Sequence, residues 1–264
     1  MDARHAASPA PLVARWLGRV AYRDAWDLQK ALAAARAADA IPDQLLLLEH
    51  PPVLTLGRQA DDAHVLAPAP MLEARGIEVI RVERGGEVTY HGPGQLVAYP
   101  IVRLADRGLY LREYVRALEA AMADTCAAEG VTAGHRDGHP GCWIDPDGPL
   151  PRKVGALGVR VERGVAYHGI ALNVTTNLAD FGLIDPCGTP GLRSASIAAE
   201  LGRRDEPPST ASVESAARVF GPALARHLGG DLVWDDGDPR APLLVGAATA
   251  RQPETAGEAA GGAR

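Results

Sequence analysis

The chain has 264 residues, of which 47% are hydrophobic and 23% charged, a composition typical of a soluble globular protein with one large domain or two small ones. Its net charge of −6 argues against nonspecific nucleic-acid binding, and no segment reaches the roughly 18 apolar residues of a membrane span. Three cysteines in so long a chain do not make a disulfide framework, so we expect a protein of the reducing cytoplasm.

Extended and helical patterns alternate through the first hundred residues. Residues 44–49 contain four successive leucines without alternation, which indicates a strand buried on both faces. Residues 24–38 are rich in alanine and predict a helix that ends before Pro42. In all, strands are predicted at 16–22, 44–49, 53–56, 77–82 and 96–102, and helices at 24–38 and 68–75.

Apolar residues in the middle of the chain recur at steps of three and four from Leu111 to Cys126, which predicts a helix that Gly130 terminates. Cys126 is therefore expected in the core. Alternation in a later strand places Ala166, His168 and Ile170 on one face. Further strands are predicted near 141–145, 153–162 and 165–176, and helices at 194–201 and 212–228. Together these elements predict one α/β or α+β domain around a mixed sheet.

The most informative segment is the glycine-rich stretch at residues 84–95, RGGEVTYHGPGQ. Four glycines and one proline in twelve residues exclude a helix, and apolar runs flank the segment on both sides. Such a loop allows backbone to approach another group closely. The segment would then place several polar side chains near the same group, those of Arg84, Thr89, Tyr90 and His91. An ordinary hairpin loop would fit the same spacing.

Lysine is almost absent from this chain. Of 27 basic residues only Lys30 and Lys153 are lysines, and the rest are arginines. A lysine ammonium is compact and changes its pKa readily on burial, which a guanidinium does not. Lys30 lies on the solvated side of a predicted helix. Lys153 begins a strand whose small residues Gly155, Ala156 and Gly158 permit close approach of a ligand or of another backbone.

Cys187 lies in a predicted loop, between Pro186 and Gly188, and not on a packing stripe. An incidental free thiol would fit this position. A nucleophile would fit it as well, because a nearby cation such as Lys153 would favour the thiolate if the fold brings the two together.

Two other kinds of site are weaker interpretations. His135, His139 and Cys142 have a spacing that suits a metal ion, but no fourth ligand follows nearby. Cys187 could also pair with His91 or His168 as in a thiol protease, although nothing resembles the local signatures of those enzymes.

Four segments in order resemble one family closely: RGGEVTYHGPGQ at 84–95, KVGALGVR at 153–160, YHGIALNV at 167–174 and DPCG at 185–188. Jointly they are similar to the bacterial lipoyl(octanoyl) transferases of lipoate synthesis. The resemblance implies a biotin/lipoate protein ligase-like fold, with a catalytic domain at 15–235 between a flexible N-terminus at 1–14 and a disordered tail at 236–264.

The activity implied by the resemblance is transfer of an octanoyl group from octanoyl-acyl carrier protein to a lysine of lipoyl domains. The acceptors would be the lipoyl domains of 2-oxoacid dehydrogenase complexes and the H protein of the glycine cleavage system. Because the thioester donor is already activated, neither ATP, metal nor another cofactor is expected. The enzyme would be a cytoplasmic monomer that binds neither nucleic acid nor membrane.

The resemblance also implies roles for particular residues. Cys187 would carry the acyl group as a thioester, and Lys153 would be its partner. The acyl pocket would be lined by Arg84, Gly85, Gly86, Glu87, Val88, Thr89, Tyr90, His91, Ala156, Leu157, Gly158, Gly169, Ile170 and Ala171. Because carrier proteins and lipoyl domains are usually acidic, we also expect a positive rim formed by Arg58, Arg84 and Arg160.

Two alternatives remain at this stage. One is an ATP-dependent lipoate or biotin protein ligase on the same fold, which would need no cysteine at position 187. The other is a non-catalytic protein that binds acyl groups or lipoyl domains. The presence of both Cys187 and Lys153 favours transfer.

Overall fold

A computed structural model of the protein describes residues 9–186, 191–203 and 212–237. Most of the segments predicted to be flexible, at 1–14 and 236–264, lie outside these ranges, and so does Cys187. Within the described ranges, every helix is too short or too polar to span a membrane.

Within these ranges the chain forms eleven strands and five α-helices. The strands are β1 Leu12–Arg19, β2 Gln44–Glu49, β3 Val53–Leu56, β4 Glu78–Arg81, β5 Val88–His91, β6 Gln95–Arg103, β7 Cys142–Ile144, β8 Arg152–Glu162, β9 Val165–Asn173, β10 Arg193–Ser194 and β11 Leu232–Trp234. The helices are α1 Tyr22–Ala37, α2 Ala69–Ala74, α3 Leu111–Ala128, α4 Ile197–Gly202 and α5 Val213–His227.

Most of the strands form one mixed sheet in the order β10-β8-β9-β6-β2-β1-β11, with β7 also paired to β8. The central pairs β2–β6, β6–β9 and β8–β9 are antiparallel, whereas β1 runs parallel to both of its neighbours. A second sheet has the order β4-β3-β5. The architecture is therefore the mixed α/β domain that the sequence predicts.

Helices cover both faces of the large sheet, and this explains the leucine run of β2. Leu45 and Leu47 pack in the core shared with α3 and α5, whereas Leu46 and Leu48 pack in the core shared with α1. All four are at most 1% exposed. A strand buried on both faces gains by being apolar at every position, so the predicted double burial is confirmed.

The elements predicted from periodicity are found, with small shifts at their ends. The strands at 44–49 and 53–56 have the predicted bounds, but β1 begins at Leu12, four residues before the predicted strand. The composition of the glycine-rich segment predicts a loop, yet residues 88–91 form β5. This strand pairs antiparallel with β3, a long-range partner that local composition does not reveal.

His168 departs from the alternation predicted for β9. Its φ of +57° is rare for a residue other than glycine, and it turns the imidazole away from the face that Ala166 and Ile170 share. The ring packs instead against Tyr99 and Tyr167, with centroid distances of 6.3 and 5.0 Å. The amide of His168 donates to the Gln29 side chain of α1 at 2.9 Å, which supports the unusual backbone conformation.

Gly169 is required for the pairing of β9 with β6. A Cβ at this position would lie 2.1 Å from the carbonyl oxygen of Ala98. We predict that Gly169→Ala destabilises the protein by about 3 kcal/mol, because the clash is with backbone and cannot be relieved by a rotamer change. Gly134→Ala is the control, since its Cβ would have no neighbour within 4 Å, and its effect should stay below about 1 kcal/mol. Urea denaturation of both variants measures the difference, and equal stabilities would contradict the prediction.

Candidate active site

A cavity lies where the glycine-rich segment, β8, β9 and the beginning of α1 meet. Its walls combine small and apolar residues with buried polar rings, and Lys153 also lines it. The lining residues are Tyr22, Arg84, Gly86, Glu87, Val88, Thr89, His91, Tyr99, Lys153, Ala156, Leu157, Gly158, His168, Gly169, Ile170 and Ala171.

Twelve of the fourteen residues predicted to bind the acyl chain line this cavity, and Gly85 and Tyr90 do not. Tyr90 lies on the other side of β5, where its hydroxyl donates to Asp180 Oδ2 at 2.9 Å and its ring contacts Phe181. The period of two along a strand is the reason, because neighbouring residues of β5 must face opposite ways. Gly85 is turned towards β8 and contributes backbone contacts there.

Backbone contact between residues 84–86 and β8 closes one side of the cavity. The amide of Gly85 donates to the carbonyl oxygen of Val159 at 3.1 Å. A Cβ on Gly158 would lie 2.6 Å from the Gly85 carbonyl oxygen, so β8 needs glycine at this contact. The close approach inferred from the glycine content is therefore an approach of the loop to β8.

Arg84 is buried, and this corrects the predicted positive rim. Its Nη2 donates to the carbonyl oxygen of Thr55 at 2.7 Å and to Thr55 Oγ1 at 2.9 Å. The Arg84 guanidinium is therefore part of the cavity wall and does not belong to a positive rim at the entrance. Of the other two expected rim residues, Arg58 is exposed and Arg160 lines a separate surface groove with Lys30 and Arg163.

Aromatic and imidazole rings form one end of the cavity, and sequence reasoning missed Tyr22 and Tyr99 among them. Tyr22 stacks on His91 with a centroid distance of 5.9 Å, and His50 lies edge-on to His91 at 5.7 Å. His50 Nδ1 donates to the carbonyl oxygen of Val20 at 2.7 Å, so its Nε2 accepts from the Tyr99 hydroxyl at 2.8 Å. Tyr22 and Tyr99 belong to α1 and β6, and neither stands in a recognisable motif.

Burial keeps these rings neutral at physiological pH. It lowers the pKa of His50 from 6.5 to about 4. The pKa of His91 is lowered well below its usual range by burial and by the neighbouring His50 and Arg84. Burial also raises the pKa of Tyr22 to about 12.

Glu83 and His168 form a second polar pair at this end. Burial would raise the pKa of Glu83, but hydrogen bonds from His168 and Trp26 outweigh it and lower the pKa to about 2. Burial lowers the pKa of His168 despite the neighbouring carboxylate. The 3.4 Å contact of His168 Nε2 with Glu83 Oε1 is therefore a hydrogen bond from a neutral imidazole to a carboxylate.

Lys153 lies where this cavity meets a smaller one. The smaller cavity shares Thr89, Lys153, Ala156 and Ala171 with the larger and is also lined by Pro186, the residue before Cys187 in the chain. Gly141 makes room for the lysine, since a Cβ there would lie 2.6 Å from Lys153 Cε. The Lys153 ammonium stands 5.2 Å from the centre of the Trp143 ring.

The residues considered for a metal ion have other partners. His135 Nε2 contacts Asp137 Oδ1 at 2.8 Å, the His139 ring packs on Trp143, and Cys142 is fully buried. Among the residues that the structure describes, no group of three or more histidine, cysteine or acidic side chains is arranged to hold a metal ion.

The cavity lies behind a glycine loop, and Lys153 is part of its wall. Residues 21–220 of the chain match the family model of the lipoyl protein ligase A/B catalytic domain. The chain belongs to that family. Within it, the chain is 46% identical over 228 residues to an octanoyltransferase of Acidobacterium capsulatum, covering 83% of this chain and 90% of that protein. It is 42% identical over 229 residues to an octanoyltransferase of Nocardia farcinica, covering 86% of each.

Solved structures confirm the predicted ligase-like fold. The bipartite lipoate protein ligase of Thermoplasma acidophilum matches with a TM-score of 0.63 at 16% identity, covering 86% of this chain and 87% of that one. A lipoate-protein ligase A bound with ATP matches with a TM-score of 0.61 at 15% identity, covering 86% and 88%. At such identities the likeness concerns the fold alone.

The buried histidines make stability dependent on pH. The folded-state pKa values of His50, His91 and His168 are depressed, so the unfolded chain binds protons first as the pH falls below about 6.5. We predict that the free energy of unfolding decreases from pH 6.5 towards pH 4. Each histidine contributes a slope of up to about 1.4 kcal/mol per pH unit.

Urea denaturation at several pH values tests this prediction. In His50→Gln the free energy of unfolding should depend less steeply on pH between pH 6 and 5. The slope should fall by about 1.4 kcal/mol per pH unit, which corresponds to one proton, because one histidine with a depressed pKa has been removed. A slope equal to that of the wild type would show that His50 is not held neutral in the folded protein.

Proposed function

We propose that this protein transfers an octanoyl group from octanoyl-acyl carrier protein to the target lysine of lipoyl domains, with Cys187 as the acyl carrier and Lys153 as its partner. The observation that carries the proposal is the position of Lys153, between an apolar cavity and a smaller cavity that Pro186 lines. Cys187 is the next residue in the chain. Identity above 40% to octanoyltransferases over most of the chain supports the same activity.

The cavity suits a straight acyl chain. Its walls include Val88, Leu157 and Ile170, and the small residues Ala156 and Ala171 leave space between them. Burial of each methylene contributes about 0.8 kcal/mol, so an eight-carbon chain is held mainly by the hydrophobic effect. Octanoate is therefore a fitting acyl group, whereas the neutral rings at the polar end add no charge of their own.

In the first step the Cys187 thiolate attacks the carbonyl carbon of the donor thioester. A carbon–sulfur bond to Cys187 forms as the bond to the carrier's sulfur breaks, and the carrier thiolate takes a proton from the Lys153 ammonium, which leaves Lys153 neutral. Because one thioester replaces another, the step requires neither ATP nor a metal ion. The Lys153 ammonium would stabilise the thiolate before attack.

In the second step the amine of the acceptor lysine attacks the Cys187 thioester. An amide bond forms, and the cysteine sulfur leaves. The attacking amine must lose a proton, which Lys153 in its neutral form would accept. The amide is more stable than the thioester, so the second step drives the transfer.

The acceptors we propose are the lipoyl domains of 2-oxoacid dehydrogenase complexes and the glycine cleavage H protein. Support comes from the fold, since one of the matching ligases was described together with its E2 lipoyl domain. We further propose that the enzyme acts as a monomer in the cytoplasm.

Intact-mass analysis after incubation with octanoyl-acyl carrier protein tests the function. Without ATP and in the presence of a chelator, we expect one octanoyl adduct that hydroxylamine removes and that Cys187→Ser abolishes. Addition of a lipoyl domain should then move the octanoyl group to its lysine. If octanoylation of the lipoyl domain stops without ATP, the chain is a ligase and the proposal is wrong.

The role of Lys153 has its own test, because without its positive charge the thiol pKa should rise towards about 8.5. Lys153→Ala should therefore react slowly with iodoacetamide near neutral pH and recover at higher pH. Lys153→Arg should keep more thiolate than the alanine variant but fail at transfer, because a guanidinium does not act as a base. Alkylation rates of Cys187 against pH provide the measurement, and identical profiles for wild type and Lys153→Ala would exclude Lys153 as the activating group.

A further inference from the structure

A buried chain of hydrogen bonds runs from the acyl cavity to the strand beside Lys153. Asn173 Nδ2 donates to the carbonyl oxygen of Ala195 at 2.9 Å, and Gln95 Nε2 donates to Asn173 Oδ1 at 3.0 Å. Gln95 Oε1 lies 2.8 Å from His91 Nδ1. The side chains of Gln95 and Asn173 carry no charge and belong to residues that pair directly between β6 and β9.

Backbone carbonyls determine the direction of every bond in this chain. The carbonyl oxygen of Ala195 can only accept, so the Asn173 amide must present its nitrogen there and its oxygen to Gln95. Gln95 Nε2 also donates to the carbonyl oxygen of Tyr90 at 3.2 Å, which orients the second amide. Gln95 Oε1 must therefore accept from a protonated His91 Nδ1.

The chain continues on the other side of His91. With Nδ1 protonated, the neutral imidazole has Nε2 as an acceptor for the Thr55 hydroxyl at 3.3 Å. Thr55 Oγ1 in turn accepts from Arg84 Nη2 at 2.9 Å. Every hydrogen bond in the chain therefore has the same donor-to-acceptor direction, from the Arg84 guanidinium in the cavity wall to the carbonyl oxygen of Ala195.

Ala195 links this chain of hydrogen bonds to the backbone of Lys153. Its amide donates to the carbonyl oxygen of Lys153 at 2.9 Å, directly after Ser194, which pairs with Lys153 in register. On the opposite edge of β8, Lys153 pairs with Trp143 of β7. The backbone of the lysine is therefore held between β7 and β10.

The strand β10 is two residues long and lies at the end of the sheet order. Short edge strands contribute few hydrogen bonds of their own. Ala195, which follows β10, is held by the bond from Asn173 and by packing in the core, where it is 1% exposed. Gln95 is 1% exposed and Asn173 is 4% exposed, and both also line the smaller cavity beside Lys153.

We propose that Gln95 and Asn173 are positioning residues of the transfer reaction, which align Lys153 with the acyl cavity through Ala195 and β10. This inference rests on the proposed function, because it assigns them an effect on the step that Lys153 assists. Neither side chain supplies a proton or a charge to the reaction. Their loss should impair the chemical step and leave binding of the donor intact.

The substitutions Asn173→Leu and Gln95→Met replace each amide with an uncharged side chain of similar shape. They break the chain of hydrogen bonds without adding a charge. Each should lower kcat about tenfold per native molecule and change KM for octanoyl-acyl carrier protein by less than about twofold. The iodoacetamide profile of Cys187 should shift to higher pH, as for Lys153→Ala. The double variant should be scarcely slower than either single variant, because both interrupt the same chain.

Gln44→Met is the matched control. It makes the same chemical change at a residue whose amide donates to the carbonyl oxygen of Pro42, remote from Lys153, and kcat should not change. Native molecules are counted by near-UV circular dichroism together with thiol stoichiometry, so that unfolding is separated from slow turnover. If Asn173→Leu does not fold, Asn173→Ser takes its place with the same expected results.

The possible outcomes separate the two proposals. A wild-type enzyme that does not transfer octanoate would contradict the proposed function. An active wild type whose variants keep full kcat per native molecule, or show an unshifted alkylation profile, would overturn the positioning role. The positioning role would also be overturned if the loss of kcat in the double variant equalled the product of the two single losses. Each substitution would then cause a separate structural defect.

Discussion

The contact of the glycine-rich segment with β8 is a contact of backbone with backbone, through the Gly85 amide and the Val159 carbonyl oxygen. This contact requires glycine at position 158, because a Cβ there would clash with the carbonyl oxygen of Gly85. Once the segment lies there, Arg84 is directed inward and β5 completes the wall of the cavity. The position of the cavity thus follows from a close backbone approach that glycine at position 158 permits.

The imidazole rings at and next to the polar end of the cavity are buried but uncharged. His50 and His91 have depressed pKa values, and their ring nitrogens are occupied by backbone, hydroxyl and amide partners. Neutral, hydrogen-bonded imidazoles avoid the desolvation penalty of a buried charge. A cavity can therefore contain several histidines and still suit an apolar acyl chain.

Fold and sequence similarity carry different parts of the functional argument. The likeness to ligases at 15–16% identity establishes the architecture, which is compatible with both ATP-dependent ligation and acyl transfer. The likeness to octanoyltransferases at 42–46% identity, together with Cys187 and Lys153, favours transfer. The tertiary structure adds the connection between the cavity, the lysine and β10, which neither comparison contains.

The sequence by itself determined the elements with strong periodicity, the doubly buried strand β2 and most of the residues that line the cavity. These features depend on local pattern or on motifs that are contiguous in the chain. Only the tertiary structure decided that Tyr22 and Tyr99 join the cavity, that His168 turns away from its expected face and that Gln95 and Asn173 connect His91 to Ala195. Each depends on partners far apart in sequence, or on a backbone conformation that neighbouring residues do not impose, so no local pattern can reveal it.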